Sequence, residues 1–241
     1  MTSSSICLLP KLTGTGGPSS FQSKLKKGFK ELGINVTHNP RDPTTSAILV
    51  TGGTRQFDDL VFAKSKGIRI IQRLDGMNWL HKKKMTGIRH YFRSERMNLQ
   101  LSFTRRMFAD AVVYQSHFTC DWWNEVYGAL QTPHTVIHNG VDLGTFAPDS
   151  KHLVPIDSIR ILVVEGSFKG GHERDLLNAV ELANHLSDRI GKPIELLIAG
   201  NLPQSMKKFI KPHSGVKIKW LGIIPHEEIP NLDRSAHIIF P

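Results

Sequence analysis

The sequence is poor in the residues from which metal and redox sites are built. It has two cysteines, Cys7 and Cys120, in 241 residues, and neither has a Cys or His partner at the spacing that such sites need. We therefore interpret both as buried thiols. The first ten residues lack the features of a signal peptide, and no apolar run approaches the ~20 residues of a spanning helix. These absences predict a cytoplasmic protein.

Acidic residues are also scarce, with 21 Asp and Glu against 31 Lys and Arg, a net charge of +10. Most of the excess lies between His81 and Arg106, where eight basic residues accompany Glu95 alone. In a helix from Ile88 to Phe108, arginines at spacings of four and three fall on one face. We expect the apolar residues of this helix to lie largely on other faces and to pack. The arginine face is then either solvated or a site for an anionic acceptor or membrane surface.

Runs rich in Ile, Leu and Val alternate with helical patterns along the chain. This alternation is typical of βαβ units around a parallel sheet that is covered on both faces, and it predicts an α/β fold. The predicted strands are Ile6–Leu9, Ala47–Val50, Ile68–Gln72, Ala111–Gln115, Thr135–His138, Ile159–Val164, Glu195–Ala199, Val216–Leu221 and His237–Phe240. The predicted helices are Ser20–Leu32, Phe57–Lys66, Ile88–Phe108, His117–Tyr127 and Glu173–Ser187.

A polar segment from Asp142 to Pro155 interrupts the alternation. It predicts a boundary near residue 150 between a Rossmann-like domain over 1–150 and a second over 151–241. No helix follows the last predicted strand, although a buried parallel strand needs a crossover helix to cover it. We therefore expect the second domain to be incomplete and the chain to be a fragment.

Several predicted strands end in glycine or polar residues. Gly14 to Gly17 join the first strand to the first helix, where backbone amides favour a phosphate, although a flexible loop with a Ser cap is the alternative. Arg73 and Asp75 end a central strand and are predicted to face a ligand crevice, with an internal ion pair as the alternative. Ser116 follows another strand and could simply cap a helix. Asn139 and Gly140 follow the next predicted strand, Thr135–His138.

In their order and spacing these segments resemble the retaining glycosyltransferases of family 4. The resemblance covers nearly the whole chain, and no single segment is specific by itself. The matching segments are the loop Gly14 to Gly17 with Ser20-Phe21, then Gln115-Ser116-x-Phe118, Asn139-Gly140-Val141-Asp142, Leu197-Ile198-Ala199-Gly200, Leu221-Gly222-x-x-Pro225, and Ile229-Pro230-x-Leu232-x-x-Ser235-Ala236-His237.

The resemblance implies a GT-B fold and transfer of a hexosyl unit from a nucleotide diphosphate sugar, with retention, to a glycan, lipid or other hydroxyl acceptor. It implies no required metal or other cofactor. Where the family has an Arg and a Lys after the first strand of the second domain, this sequence has Ser167 and Lys169. The family's paired glutamates would lie beyond Pro241. The expected site residues are Asp75 and Arg73 for catalysis; Gly16, Gly17, Asn139, Gly140, Lys169, Gly200, Gly222 and Ile224 for the donor; and Ser116, Arg89 and Arg93 on the acceptor side.

Two other classes remain as alternatives. Thr51-Gly52-Gly53 imitates the opening of a nucleotide-sugar epimerase or dehydrogenase, but no further glycine completes the motif and no Tyr-x-x-x-Lys pair follows, so we interpret it as a rim loop. The second alternative is a basic, noncatalytic module that binds nucleic acid. No recognition helix, zinc knuckle or RNA-binding aromatic pair accompanies the charge, and we expect no nucleic acid partner.

Overall fold

Parallel strands form the centre of both halves of the chain. The computed structural model describes residues 4–13, 17–83, 87–148, 154–168 and 173–240. The chain divides into two compact units, Met1–Gly140 and Val141–Pro241. Each unit has one sheet in which neighbouring strands run parallel. The α/β fold with two parallel sheets that the sequence predicts is therefore confirmed.

The first unit has a six-stranded sheet. Its strands are β1 (Ser5–Leu9), β2 (Asn35–Thr37), β3 (Thr45–Thr51), β4 (Arg69–Leu74), β5 (Ala111–Tyr114) and β6 (His134–Val136). They lie in the order β2-β1-β3-β4-β5-β6. The described helices of this unit are α1 (Gly17–Glu31), α2 (Phe57–Ser65), α3 (Leu80–Lys83), α4 (Ile88–Met107) and α5 (His117–Tyr127).

Two apolar clusters bury this sheet, which explains why its strands read as continuous runs of Ile, Leu and Val. In one cluster Ile48 and Ile70 pack with Leu60 of α2 and with Cys7. Trp123 of α5 is fully buried in the other, which also contains Cys120. Both thiols are free and buried, as predicted, and burial raises the pKa of Cys7 to about 12.

The second unit has a four-stranded sheet. Its strands are β7 (Ile159–Ser167), β8 (Ile194–Asn201), β9 (Val216–Gly222) and β10 (Ile238–Phe240), and its described helices are α6 (Glu173–Ile190) and α7 (Ile229–Arg234). The strand order is β10-β7-β8-β9. Leu176, Ala179 and Ala183 of α6 pack on Leu196 and Ile198 of β8 to form the core. Short 3-10 turns at 206–209 and 226–228 precede β9 and α7.

Some elements differ from the sequence-based prediction. β2 was not predicted because it has a single aliphatic residue, Val36, in three. α7 was not predicted because it is only six residues long and has a proline at its start. Within the described ranges, no helix combines the length and the apolar character needed to cross a membrane.

The largest difference concerns the orientation of α4. We expected its apolar residues to pack, but Ile88, Phe92 and Leu99 are 77%, 68% and 60% exposed. The face turned towards the protein has small or polar residues instead, among them Ser94 and Asn98. The prediction was wrong because periodicity gives the spacing of apolar residues along a helix without showing which face the protein covers.

Candidate functional site

Three strand ends meet at the carboxyl edge of the first unit's sheet, the edge at which open α/β sheets bind ligands. Arg73 lies on β4 and is only 6% exposed. Its Nη2 donates to Asn139 Oδ1 at 2.6 Å and to Gln115 Oε1 at 3.2 Å. Gln115 directly follows β5, and Asn139 lies beyond β6. The structure therefore brings together the predicted residues Arg73 and Asn139, with Gln115 as a partner that the sequence analysis did not select.

The hydrogen-bond and ring partners of Arg73 are all neutral. Its Cζ lies 3.7 Å from the centroid of the Phe21 ring in α1, which is a cation-π contact. Within the described residues, no carboxylate lies within ion-pairing distance of the Arg73 guanidinium, so the alternative of an ion pair with Asp75 is not formed. Burial lowers the pKa of Arg73, and the charge of Asp75 partly opposes this effect. Buried charges are normally paired, so Arg73 is well suited to binding an anion.

Asp75 lies in a loop whose backbone is fixed. Trp123 Nε1 donates to the Asp75 carbonyl at 2.9 Å. Further along the loop, Asn98 accepts from the Asn78 backbone N–H at 2.9 Å and donates to the Asn78 carbonyl at 2.7 Å. Asp75 itself is half-buried and directly follows β4. A carboxylate on a fixed backbone beside Arg73 can hold and orient a hydroxyl group.

The loop after β1 is held by a side chain that the sequence analysis missed. Gln22 of α1 is buried; its Nε2 donates to the Pro10 carbonyl and its Oε1 accepts from the Leu12 N–H, both at 3.0 Å. One glutamine in a helix rich in lysine gives no sequence signal for this role. Gly17 is the first residue of α1 and is exposed, whereas the predicted donor residue Gly16 lies outside the described residues.

The other predicted residues of this unit have separate positions. The Ser116 hydroxyl accepts from the Thr119 N–H at 3.1 Å and so caps α5, which is the alternative considered for it. Gly140 is exposed in the segment after β6. Arg89 and Arg93 are exposed on α4, and no described contact joins them to Arg73.

In the second unit, the predicted donor residues Gly200 and Gly222 lie at the carboxyl ends of β8 and β9. Gly200 has a φ of +139° and passes so close to the Glu165 carbonyl that no side chain fits there. Gly222 has a φ of +71° and ends β9, and Ile224 beyond it is half-buried. Lys169 lies outside the described residues, two positions after β7 ends at Ser167.

Comparisons with known proteins identify a fold and no family. No family model matches the sequence, and no curated protein matches it. A sucrose-phosphate synthase from Thermosynechococcus elongatus has a similar structure, with a TM-score of 0.59 and 13% identity over 95% of this chain and 57% of that chain. The UDP-GlcNAc 2-epimerase from Methanocaldococcus jannaschii gives a TM-score of 0.45 and 13% identity over 95% and 62%. A trehalose-phosphate synthase from Burkholderia xenovorans gives 0.47 and 11% over 92% and 56%.

At this level of identity the likeness to the synthase shows the fold alone. The two units have the Rossmann-like architecture of GT-B proteins, as the sequence analysis predicted. This chain spans 57% of the length of the synthase that it matches. Fold does not fix function, which depends on the residues of the site.

Proposed function

We propose that this chain belongs to a glycosyltransferase that moves a hexosyl unit from a nucleotide diphosphate sugar to an acceptor hydroxyl with retention. The observation that carries the proposal is Arg73, a buried cation bound to the neutral groups of Gln115 and Asn139 at the ligand-binding edge of a GT-B-type unit. The Arg73 cation can bind a phosphate, and the carboxylate of neighbouring Asp75 can accept from a sugar hydroxyl.

The reaction that we propose builds negative charge on the leaving nucleoside diphosphate as its bond to the anomeric carbon breaks. Cations and backbone N–H groups placed at that charge lower the barrier. We assign this stabilisation to Gly16, Gly17 and Lys169, and contacts with the nucleotide to Gly200, Gly222 and Ile224. These assignments rest on the family resemblance and on strand-end positions.

On the acceptor side, we propose that Asp75 accepts a hydrogen bond from the attacking hydroxyl and so orients it. Arg73 would bind an anionic group of a substrate, because its own partners leave the charge uncompensated. Ser116 would lie on this acceptor side, whereas Asn139 and Gly140 would contact the donor. A glycan, a lipid or another hydroxyl compound can serve as the acceptor in this arrangement.

The test measures release of nucleoside diphosphate from a panel of nucleotide sugars, with and without a pool of hydroxyl acceptors. The 241-residue chain and the complete product of its gene are assayed side by side. Transfer of the sugar with retained anomeric configuration is the expected result. Epimerisation of the donor without any acceptor, or no response to any nucleotide sugar, would overturn the proposal.

The role of Asp75 is tested with Asp75→Ala, and Asp121→Ala provides an exposed acid of the same unit as a control. We expect turnover to fall by about 10²-fold or more in the first variant, within the range for groups that position or transfer protons. The thermal midpoint should hardly change, because the loop is held through its backbone. Equal losses of stability and turnover would assign Asp75 a structural role only.

A further inference from the structure

Helix α4 exposes its large apolar residues and buries its small polar ones. Ser94, Asn98 and Ser102 recur at spacings of four on the buried face. The exposed large apolar residues of the helix include Ile88, Phe92, Leu99, Phe103 and Met107. A surface helix of a soluble protein has the opposite pattern. Exposed apolar surface of this extent is typical of an interaction site.

The same exposed face is cationic. Arg89, Arg93 and Arg96 are exposed on α4, and within the described part of the chain no carboxylate forms an ion pair with them. The acid of this helix, Glu95, is bound elsewhere: its Oε1 lies 2.6 Å from His81 Nε2 and 3.2 Å from Lys82 Nζ. The face therefore combines apolar side chains with positive charge that no described acid of the protein neutralises.

A groove runs along one end of this face, with a volume of about 770 Å³. Phe57, Leu99, Phe103 and Met107 give it an apolar lining. Arg55 and Arg96 also line it, as does Arg106, whose Nη2 donates to the Tyr127 carbonyl. An apolar groove with arginines in its lining matches a ligand that has an acyl chain and an anionic head.

We propose that the exposed face of α4, together with this groove, docks on a bilayer that contains anionic phospholipids. Helices that lie in the membrane interface have apolar side chains for the acyl region and Arg or Lys for the phosphates. Each basic residue near an anionic bilayer surface adds to the attraction between the helix and the lipid phosphates. The inference is independent of the proposed sugar transfer, because it uses none of the residues around Arg73.

Nucleic acid would use the same charge but not the same apolar residues. Single strands bind by stacking bases on aromatic rings, and Ile88, Leu99 and Met107 have no ring to offer. An acyl region accepts aliphatic and aromatic side chains equally. The aliphatic residues on the face therefore favour a lipid surface over RNA.

The test is cosedimentation of the full chain with vesicles of phosphatidylcholine alone or of equal parts phosphatidylcholine and phosphatidylglycerol. We expect binding to the anionic vesicles, weakened by salt, and little binding to the neutral ones. The triple variant Arg89→Gln, Arg93→Gln, Arg96→Gln should bind at least about tenfold more weakly. Its control is Lys24→Gln, Lys27→Gln, Lys30→Gln, which removes the same charge from α1 and should bind nearly as the natural chain does.

The apolar contribution is tested separately with Phe92→Ser and Leu99→Ser together. The control replaces Leu32 and Phe209, which are equally exposed on other segments, by serine. Since all four side chains are exposed, each variant should keep its thermal midpoint. Equal binding to neutral and anionic vesicles, equal losses in α4 and control variants, or retention of labelled single-stranded RNA without any vesicle binding would each overturn the proposal.

Discussion

Gly200 offers a sharp test of the strand geometry at the carboxyl edge of the second unit. In Gly200→Ala the new Cβ would overlap the Glu165 carbonyl oxygen, with the Glu165 carbonyl carbon at 2.9 Å and Phe168 Cε2 at 3.0 Å. The backbone φ of +139° is also one that side chains rarely adopt. β7 and β8 would have to separate at this edge to accommodate the methyl group.

The cost has two parts of similar size. Backbone strain at such a φ contributes about 1–3 kcal/mol, and forcing a methyl group into filled space contributes about 1–3 kcal/mol more. A unit of this size is stable by about 5–15 kcal/mol, and each 1 kcal/mol lost lowers the melting temperature of a domain of about 100 residues by about 4–8 °C. We therefore expect its melting temperature to fall by about 10 °C or more.

The matched control is Gly191→Ala, at the end of α6 in the same unit. Gly191 also has a positive φ, +64°, but nothing lies within 4 Å of an added Cβ. Gly191→Ala should lower the free energy of unfolding by only about 1–2 kcal/mol, because its only cost is the strain of a left-handed backbone conformation. Calorimetry gives the melting temperatures, and hydrogen exchange on β7 and β8 locates the loss. If both variants melted at the same temperature, the close approach of Gly200 to Glu165 would be refuted.

Two further predictions concern charged residues. Lys219 and Arg160 hold the pKa of Glu195 below its usual range. The stability due to this carboxylate should therefore be full above about pH 4.3 and lost as pH falls through the lowered folded pKa. Unfolding of Glu195→Gln should lack this pH dependence, whereas that of the exposed control Glu227→Gln should keep it. Arg105 is fully buried and its Nε donates to the Tyr114 hydroxyl at 2.8 Å. Arg105→Ala should therefore lower the free energy of unfolding by about 3–5 kcal/mol. An unchanged midpoint of denaturant unfolding would contradict this prediction.

The sequence predicted those parts of the fold that depend on composition alone. Central strands such as β3 and β7 must be apolar on both faces, and this requirement appears in the sequence as continuous runs of apolar residues. We also expected Arg73 and Asp75 to face a ligand crevice, because the carboxyl ends of parallel strands share one edge. The partners of Arg73 were not predictable: Gln115 and Asn139 are 42 and 66 residues away, and no periodic pattern connects such distant positions.

Other features depend on tertiary contacts that leave no local trace. Gln22 looks like any solvent-facing glutamine in a basic helix, yet it anchors the loop after β1. α4 has helical spacing that is easily recognised, but which side is buried depends on the elements packed against it. We therefore predicted the helix with nearly correct ends and its exposed arginines, but not the exposure of its large apolar residues.

The amide partners of Arg73 have a consequence for how this edge can change over evolution. Asn139 differs from aspartate by a single group of nearly the same shape, and Nη2 of Arg73 lies 2.6 Å from its Oδ1. An aspartate there would supply an internal counter-ion and cancel the electric field that Arg73 projects from the sheet. A single nucleotide change that converts the asparagine codon into an aspartate codon would therefore abolish anion binding at this edge while leaving the fold intact.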